Sequence, residues 1–436
     1  MTLKKVLLAF ANRKLLIASF GATALTLAVG ASTLLTPDVS AQTTRPRRVR
    51  PAPTPTPDTL LGPAPKSSPA TNRNSPLLDV KPARPVGSAP SSSGSSGSSS
   101  STDTTHAFQL LQQKQYAAAA SEAKQIAAAD ASNSEAWKIA GFSEFYLKQY
   151  ADASKDLQKA LDLQRAAKQE DFHTVDALAE SYVLSEKYEE ALPLLVSATS
   201  RTTDKADSSF LYYRGLAEFK TGKAADAERS FNAAVKANPK DAASLMMLAQ
   251  IALGKKDLDT AISMLNRATV ADPRQVPAWS LLTRAYLSRA ATSTDQIKAN
   301  ADYLSAIRAG ETLTRLRSDE DSVSLYGRAL IGAQQYPRAA LALEKVVANP
   351  DAGGTTLYLY GVAQSRANVF PKAIAALERA LAKSPNDVNV YRELGYDYEK
   401  TKQYPKAFAL YQKAVAVAPN DQDFKDSLER VRPFAN

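Results

Sequence analysis

The strongest constraint on the fold is a small residue that recurs about every 34 residues through most of the chain. Two tyrosines that each open such a stretch, Tyr116 and Tyr150, are 34 residues apart. Three positions further on, alanine recurs at intervals of 34, 38, 36 and 34 residues, and later at two intervals of 34. These alanines are Ala119, Ala153, Ala191, Ala227, Ala261, Ala339, Ala373 and Ala407. A period of this length predicts a stack of similar supersecondary units.

Within each period, small and bulky residues are spaced as on two amphipathic helices. Apolar residues fall at repeat positions 4, 11, 17 and 24, which is the spacing of helix faces. Small residues fall at positions 8 and 20, where we expect the two helices of a unit to approach each other closely. The glycines at position 8 are Gly141, Gly215, Gly327, Gly361 and Gly395. Neither helix buries its face alone, so stacking of units must supply the core.

One unit, 388–421, shows the complete pattern. Its matching residues are Tyr391, Leu394, Gly395, Tyr398, Tyr404, Ala407, Tyr411, Ala414 and Pro419. On these residues the chain resembles the tetratricopeptide-repeat family over about three quarters of its length. The resemblance implies an all-α fold, a right-handed α-solenoid of about nine helix-turn-helix repeats over 103–421, closed by a C-terminal capping helix over 422–436. The nine units are 100–133, 134–167, 172–205, 208–241, 242–275, 276–319, 320–353, 354–387 and 388–421.

Proline and acidic residues indicate where the helices begin. Pro337, Pro371 and Pro405 each follow an aromatic residue, which predicts that they lie in the first turn of a second helix, where a missing N–H costs little. Asp387 and Asp421 are expected to cap the helix that follows each of them.

The sixth unit, 276–319, departs from the pattern because it is ten residues longer than the 34-residue period. The run from Ser293 to Gln296 predicts a capping box that opens a long helix ending near Leu316. If helical, the added residues would project by roughly 15 Å. We expect a protruding element or a change in the path of the array.

The N-terminal segment predicts export. Residues 1–41 contain a basic start, an uncharged and mostly apolar run over 15–35, and a small-residue ending at Ala41. This is the pattern of a cleaved secretory signal, with Gln42 as the new N-terminus. The alternative is an uncleaved membrane anchor through residues 15–35, because about 20 apolar residues span a bilayer. Either way, the basic start places the rest of the chain outside the cytoplasm, in the periplasm or secreted.

A linker is expected between this segment and the repeats. Residues 42–102 hold 12 of the 24 prolines and no aromatic residue, a composition that cannot bury enough apolar surface to fold. Its basic residues suggest a weak contact with an anionic surface, the alternative being a solvated charge run without a partner. These residues are Arg45, Arg47, Arg48 and Arg50.

Charge and composition exclude several functions. The net charge of +10 comes mostly from the first 102 residues, since 42 basic and 41 acidic residues follow them. A nucleic-acid-binding surface is therefore not expected on the folded part. The chain has no cysteine, and neither of its two histidines, His106 and His173, has a second histidine or a carboxylate at metal-ligand spacing. We expect no metal, no cofactor and no enzymatic activity.

The family resemblance implies a binding site on the concave face, formed by positions 2, 5, 9, 12 and 13 of each first helix. Carried over residue by residue, this first-helix face comprises Lys138, Phe142, Phe145, Tyr146, Tyr212, Leu216, Phe219, Met246, Gln250, Arg328, Tyr358, Arg366, Arg392, Tyr396 and Glu399. Aromatic and arginine side chains are frequent anchors in interfaces, although each of these residues could instead pack on the neighbouring unit. The acidic C-terminal tail bound by one subset of the family is disfavoured, because Lys138 is followed at position 9 by Phe142 and not by Asn.

The sequence thus predicts an extracytoplasmic protein- or peptide-binding scaffold. Two alternatives remain open: a self-associating structural component of a cell-envelope assembly, and a non-catalytic accessory subunit of an envelope enzyme.

Overall fold

A computed structural model describes residues 103–201 and 208–435 of the chain. The predicted signal segment 1–41, the predicted linker 42–102 and its arginines lie outside the described residues. Across the two described ranges, none of the helices has both the length and the apolar character that crossing a bilayer requires.

The described residues form α-helices and one short 3-10 helix, without any strand. The helices are α1 (Thr105–Gln112), α2 (Tyr116–Ala129), α3 (Ser134–Tyr146), α4 (Tyr150–Ala166), α5 (Phe172–Leu184), α6 (Tyr188–Arg201), α7 (Ser208–Lys220), α8 (Ala224–Ala237), α9 (Ala242–Gly254), α10 (Leu258–Ala271), α11 (Val276–Thr292), α12 (Gln296–Leu316), α13 (Glu320–Gly332), α14 (Tyr336–Val347), α15 (Gly354–Arg366), α16 (Phe370–Lys383), α17 (Val388–Lys400), α18 (Tyr404–Val417) and α19 (Gln422–Val431), followed by the 3-10 helix Arg432–Phe434. The first eighteen form nine successive pairs, so the predicted all-α solenoid of about nine repeats is confirmed.

Each pair is held together where the small residues lie. The recurring alanines at position 20 are all 0 % exposed. A Cβ added to Gly141 would lie 2.6 Å from Leu157 Cγ, and one added to Gly361 would lie 2.5 Å from Leu377 Cγ. The glycine at position 8 therefore packs against the bulky residue at position 24 of the same unit. This contact explains why the period needs a small residue at position 8.

The turn inside a unit depends on one residue with a left-handed backbone at position 15. The residues in this conformation are Lys114, Lys148, Glu186, Gly222, Lys256, Gln334, Asn368 and Lys402. The next residue donates its backbone N–H to the carbonyl of position 11, as Gln115 does to Leu110 at 2.9 Å. This is the six-residue hydrogen bond of a Schellman motif, and it ends the first helix at the same place in eight units.

The sixth unit lacks that turn. Its first helix α11 has 17 residues and its second helix α12 has 21, against 13 and 14 in the preceding unit. The inserted residues thus lengthen both helices, by about one and two turns at 3.6 residues per turn, and do not form one separate projection. Arg289 of α11 joins the second helices on both sides of it, because its Nε donates to Asp302 Oδ2 of α12 at 2.9 Å and its Nη1 donates to Asp259 Oδ1 of α10 at 2.5 Å.

Most of the predicted helix starts are confirmed. Proline lies in the first turn of α14, α16 and α18, and the side chains of Asp387 and Asp421 accept backbone N–H groups at the starts of α17 and α19. The predicted capping box before α12 is wrong in its cap residue. Asp295, and not Ser293, accepts the N–H of Ile297 at 2.9 Å, because the Ser293 hydroxyl lies before the helix and accepts the N–H of Asp295 at 3.2 Å.

Helices pack mainly on their neighbours in the chain. The substantial contacts among the described residues join helices one or two places apart, and those two places apart are pairs of first helices. They are α1 with α3, α3 with α5, α5 with α7, α11 with α13, α13 with α15, and α15 with α17. Since first helices approach one another more closely than second helices do, they line the inner side of the array.

Candidate binding groove

The structure distributes the predicted first-helix face over three environments. Five residues are buried: Lys138, Phe142, Phe145, Met246 and Tyr358. Nine are half-buried: Tyr146, Tyr212, Leu216, Phe219, Gln250, Arg328, Arg366, Tyr396 and Glu399. One, Arg392, is exposed. The half-buried residues keep one part of the side chain in the array and another part accessible, so they are the members of this face best placed to meet a ligand.

A pocket lined by both apolar and polar side chains lies at the N-terminal end of this face, between the first and second units. It has a volume of about 190 Å³. Its lining residues are Phe108, Leu111, Gln112, Lys114, Tyr116, Glu135, Lys138, Ile139, Phe142 and Tyr146. Three predicted residues, Lys138, Phe142 and Tyr146, are therefore brought together in one cavity, which we call the N-terminal pocket.

Aromatic packing shapes the N-terminal pocket. The ring of Tyr146 stacks on Tyr116, with centroids 4.8 Å apart, and meets the ring of Phe145 edge-on at 5.8 Å. Burial, followed by the nearby Tyr116 and Glu180, raises the pKa of Tyr146 to about 12. Its hydroxyl therefore stays protonated at neutral pH and is available as a hydrogen-bond donor.

Lys138, which lines the N-terminal pocket, is already neutralised by two carboxylates. Its Nζ lies 3.1 Å from Glu135 Oε2 and 3.1 Å from Asp171 Oδ2. Burial opposes the charge of this lysine, but the two acids outweigh it, so its pKa is raised. Asp171 caps α5, the first helix of the third unit, and the predicted anchor Lys138 thus also ties two units together.

In the middle of the array, the predicted residues pack mostly within the protein. Tyr212, Leu216 and Phe219 contact the apolar core built by α8 to α12. Met246 is 4 % exposed and Gln250 is half-buried.

The arginines at the C-terminal end are paired with acids. Arg366 Nη2 donates to Glu393 Oε1 at 2.9 Å, and its guanidinium lies 5.6 Å from the ring of Tyr396. Arg392 forms an ion pair with Asp421. Glu399 accepts from Arg430 at 2.9 Å and from the Tyr411 hydroxyl at 2.7 Å. These predicted residues join α15, α17 and α19, so much of their charge is used inside the array.

Sequence reasoning missed a buried carboxylate in this region. Asp397 is 0 % exposed, and its Oδ1 accepts from the Ser365 hydroxyl at 2.5 Å while Oδ2 has no hydrogen-bond partner. Burial, opposed by the Ser365 hydrogen bond and supported by the charge of Glu393, raises the pKa of Asp397 to about 7. The signal for it in the sequence was an acidic residue at position 10 of a first helix, a position surrounded by packed residues.

A second buried acid lies between the first two units. Glu144, which the sequence places where apolar bulk is usual, is 2 % exposed and bonds to Lys124 of α2. Lys124 Nζ also lies 3.6 Å from Asp156 Oδ2. Burial raises the pKa of Glu144 to about 7, although Lys124 opposes this shift.

Sequence reasoning also missed Arg284, which occupies position 9 of the sixth unit and is half-buried. The same register that selected Arg328 would have found it. The two histidines, His106 and His173, are both exposed. His106 Nδ1 lies 2.7 Å from Glu122 Oε2. Within the described part of the chain, no three His, Asp or Glu residues are grouped as a metal site would require.

Comparison with known proteins agrees with this architecture. The family model described as tetratricopeptide repeat matches residues 177–228, 212–276, 324–387 and 358–422. No curated protein matches the chain by sequence.

Solved structures of similar proteins are related only distantly. YrrB, described as a TPR protein with an unusual peptide-binding site, is 17 % identical and covers 46 % of this chain and 99 % of its own, with a TM-score of 0.38. MamA from Desulfovibrio magneticus is 20 % identical, covering 41 % and 96 % with a TM-score of 0.36. A tetratricopeptide repeat protein from Parabacteroides merdae is 15 % identical, covering 61 % and 98 % with a TM-score of 0.38.

Proposed function

Because the chain belongs to the tetratricopeptide-repeat family, whose arrays are protein-binding scaffolds, we propose that it binds a segment of another protein along its first-helix face. The observation that carries this proposal is the N-terminal pocket, a cavity on the inner side of the array that is partly apolar and has half-buried aromatic side chains at its wall. Such a cavity suits an apolar or aromatic side chain of the bound segment, since buried anchors of this kind provide most of the affinity in protein interfaces. The role is non-catalytic.

The N-terminal pocket is tested with Tyr146→Ala. We expect this change to weaken partner binding by at least about tenfold, because it removes an aromatic wall from an anchor cavity. The full chain is used as bait in extract, bound proteins are identified by quantitative mass spectrometry, and the affinity of each is then measured with purified protein. Phe142 is a poor choice for this test, because it is 2 % exposed and its truncation would disturb the core.

Tyr336→Ala is the matched control. Tyr336 is also half-buried and begins a second helix, α14, far along the chain from the N-terminal pocket. Equal binding by the wild-type chain and by both variants would contradict the pocket as anchor. Loss of binding in the Tyr336 variant as well would point to a general loss of stability.

The export pattern of residues 1–41 leads us to propose further that the scaffold acts outside the cytoplasm. N-terminal sequencing of the protein from its native host is expected to give Gln42 as the first residue, with the protein in the soluble extracytoplasmic fraction. An N-terminus at Met1 or Thr2 in the membrane fraction would support the uncleaved anchor. Recovery from the cytoplasm would contradict both.

A further inference from the structure

Two arginines at the centre of the first-helix face differ from all the paired ones. Arg284 and Arg328 occupy position 9 of the sixth and seventh units, on the contacting helices α11 and α13. Both side chains are half-buried. They are close enough for the charge of Arg284 to act on Arg328. We call them the arginine pair.

The arginine pair has no partner among the described residues. Hydrogen bonds and ion pairs are formed by Arg289, Arg366 and Arg392, whereas neither member of the arginine pair forms one. None of their guanidinium nitrogens is among the buried side-chain atoms that lack a partner. The nitrogens therefore reach solvent, and their donors are free to meet a ligand.

The position of the arginine pair is electrostatically unfavourable. Burial lowers the pKa of Arg284. The negative charge of the exposed Asp321 opposes this shift, but Asp321 forms no ion pair or hydrogen bond with Arg284. Burial and then the charge of Arg284 lower the pKa of Arg328, opposed by Tyr358. Both guanidinium groups nevertheless stay protonated at neutral pH, because arginine does not lose its proton in proteins. Two like charges drawn partly out of water are stabilised when an anion binds between them.

Tyr358 adds a third donor beside the arginine pair. It lies at position 5 of the eighth unit, on α15, which contacts α13. The charges of Glu393 and Asp387 act on its side chain most strongly, followed by those of Arg366 and Arg328. Its hydroxyl forms no hydrogen bond with the described residues, and burial raises its pKa, so it keeps its proton. The face therefore offers two guanidinium groups and a phenol. Among the described residues none of the three forms an ion pair or a hydrogen bond with an acid, although the charges of Glu393 and Asp387 reach the phenol.

We propose that Arg284, Arg328 and Tyr358 form an anion site that binds a carboxylate of the bound polypeptide, supplied by an Asp or Glu side chain. This inference rests on the proposed function, because it names the chemistry of the partner. The planar guanidinium fork matches both oxygens of a carboxylate. A phosphate group shares the negative oxygens, but phosphate sites commonly use free backbone N–H groups at helix N-termini. Here both arginines lie in mid-helix, where the N–H groups are already bonded.

The test uses the full chain and a fluorescein-labelled peptide of ten glutamates, with a ten-glutamine peptide as the neutral comparison. Binding is followed by fluorescence anisotropy at low and at physiological salt. The double variant R284Q/R328Q is expected to bind the glutamate peptide about tenfold more weakly than the wild-type chain, because two charge-assisted contacts are lost. The glutamine peptide is expected to bind weakly to all chains.

The matched control is R267Q/R308Q, which removes the same charge from exposed arginines on the second helices α10 and α12. Equal weakening in both double variants would overturn the site, since it would reflect net charge alone. Circular dichroism and thermal unfolding check the fold of each. If the glutamine double variant fails to fold, R284K/R328K replaces it, because it keeps the charge and loses the fork; unchanged binding in that variant overturns the site.

Two further outcomes distinguish a carboxylate from a phosphate as the bound anion, and the anion site from the proposed function. Displacement of the glutamate peptide by inorganic phosphate at much lower concentration than by acetate, at constant ionic strength, would overturn the carboxylate assignment. Absence of glutamate-peptide binding to the wild-type chain would overturn the anion site. The proposed function would not be contradicted by that result, because it is tested separately by the effect of Tyr146→Ala on partner binding.

Discussion

Gly141→Ala is expected to destabilise the array by about 1–3 kcal/mol, the usual cost of overpacking a close contact. An alanine would otherwise be favoured in a helix by about 1 kcal/mol over glycine. The added Cβ, however, would lie 2.6 Å from Leu157 Cγ and 3.0 Å from the Leu157 backbone N, and the backbone atom cannot move without shifting α4. Gly141→Leu is expected to cost more. Urea unfolding followed by circular dichroism measures both changes.

Gly254→Ala provides a control of opposite sign. Gly254 also lies in a helix, at the end of α9, but a Cβ added there meets no atom within 4 Å. This variant is expected to gain up to about 1 kcal/mol from helix propensity. The same direction of change in Gly141→Ala and Gly254→Ala would show that helix packing inside the unit does not determine the outcome.

Asp397→Asn is expected to stabilise the array at pH 8 by up to about 4 kcal/mol, since a pKa difference of about three units between the folded and unfolded chain corresponds to that amount at about 1.4 kcal/mol per unit. The gain is reduced by the cost of burying the amide N–H groups, which take the place of the unpartnered Oδ2. The folded-state pKa of this buried carboxyl is raised to about 7, mainly by burial. An asparagine has nearly the same shape and no charge to bury, and its amide oxygen still accepts from the Ser365 hydroxyl.

The pH dependence follows from the direction of the shift. Because the folded state holds the Asp397 proton more tightly than the unfolded chain, the carboxyl destabilises the fold as pH rises from its ordinary pKa near 4 to about 7. Below this window the variant and the wild-type chain are expected to differ little. Above it, the advantage of the variant reaches its full size and stays constant.

Asp426→Asn is the matched control for this effect, because Asp426 is exposed on α19. Unfolding midpoints in urea between pH 4 and 8 compare the three chains. A difference between Asp397→Asn and the wild-type chain that does not grow between pH 4 and 7 would contradict the buried charge as its cause. The same pH dependence of stability in Asp397→Asn and Asp426→Asn would also contradict it.

Much of the fold was predictable because it depends on local pattern. The 34-residue recurrence of alanine and the position of proline in first turns are set by contacts within a unit, so they appear directly in the sequence. The length of α12 was predictable for the same reason. Its cap was not, since Ser293 and Asp295 both offer an acceptor and only the path of the chain decides between them.

The candidate site was harder to predict because it depends on contacts between units. Register alone selected Arg328 and Arg366 as equivalent anchors, yet Glu393 of the next unit pairs with Arg366, while Arg328 has no acid within reach among the described residues. Which acid lies beside which arginine depends on the rotation between successive units. Phe142 likewise satisfies the face pattern, but the same rotation buries it against the neighbouring helices.

Between the helices of the described ranges, substantial contacts join only neighbouring units, so the units are connected mechanically in series. A small rotation at each junction adds to the next, and the array becomes more compliant as units are added. The N-terminal pocket lies on α1 to α3 and the arginine pair on α11 and α13, so several junctions separate them. Tension on the chain would change the distance between these two sites. It would therefore change how strongly the array binds a segment that spans both.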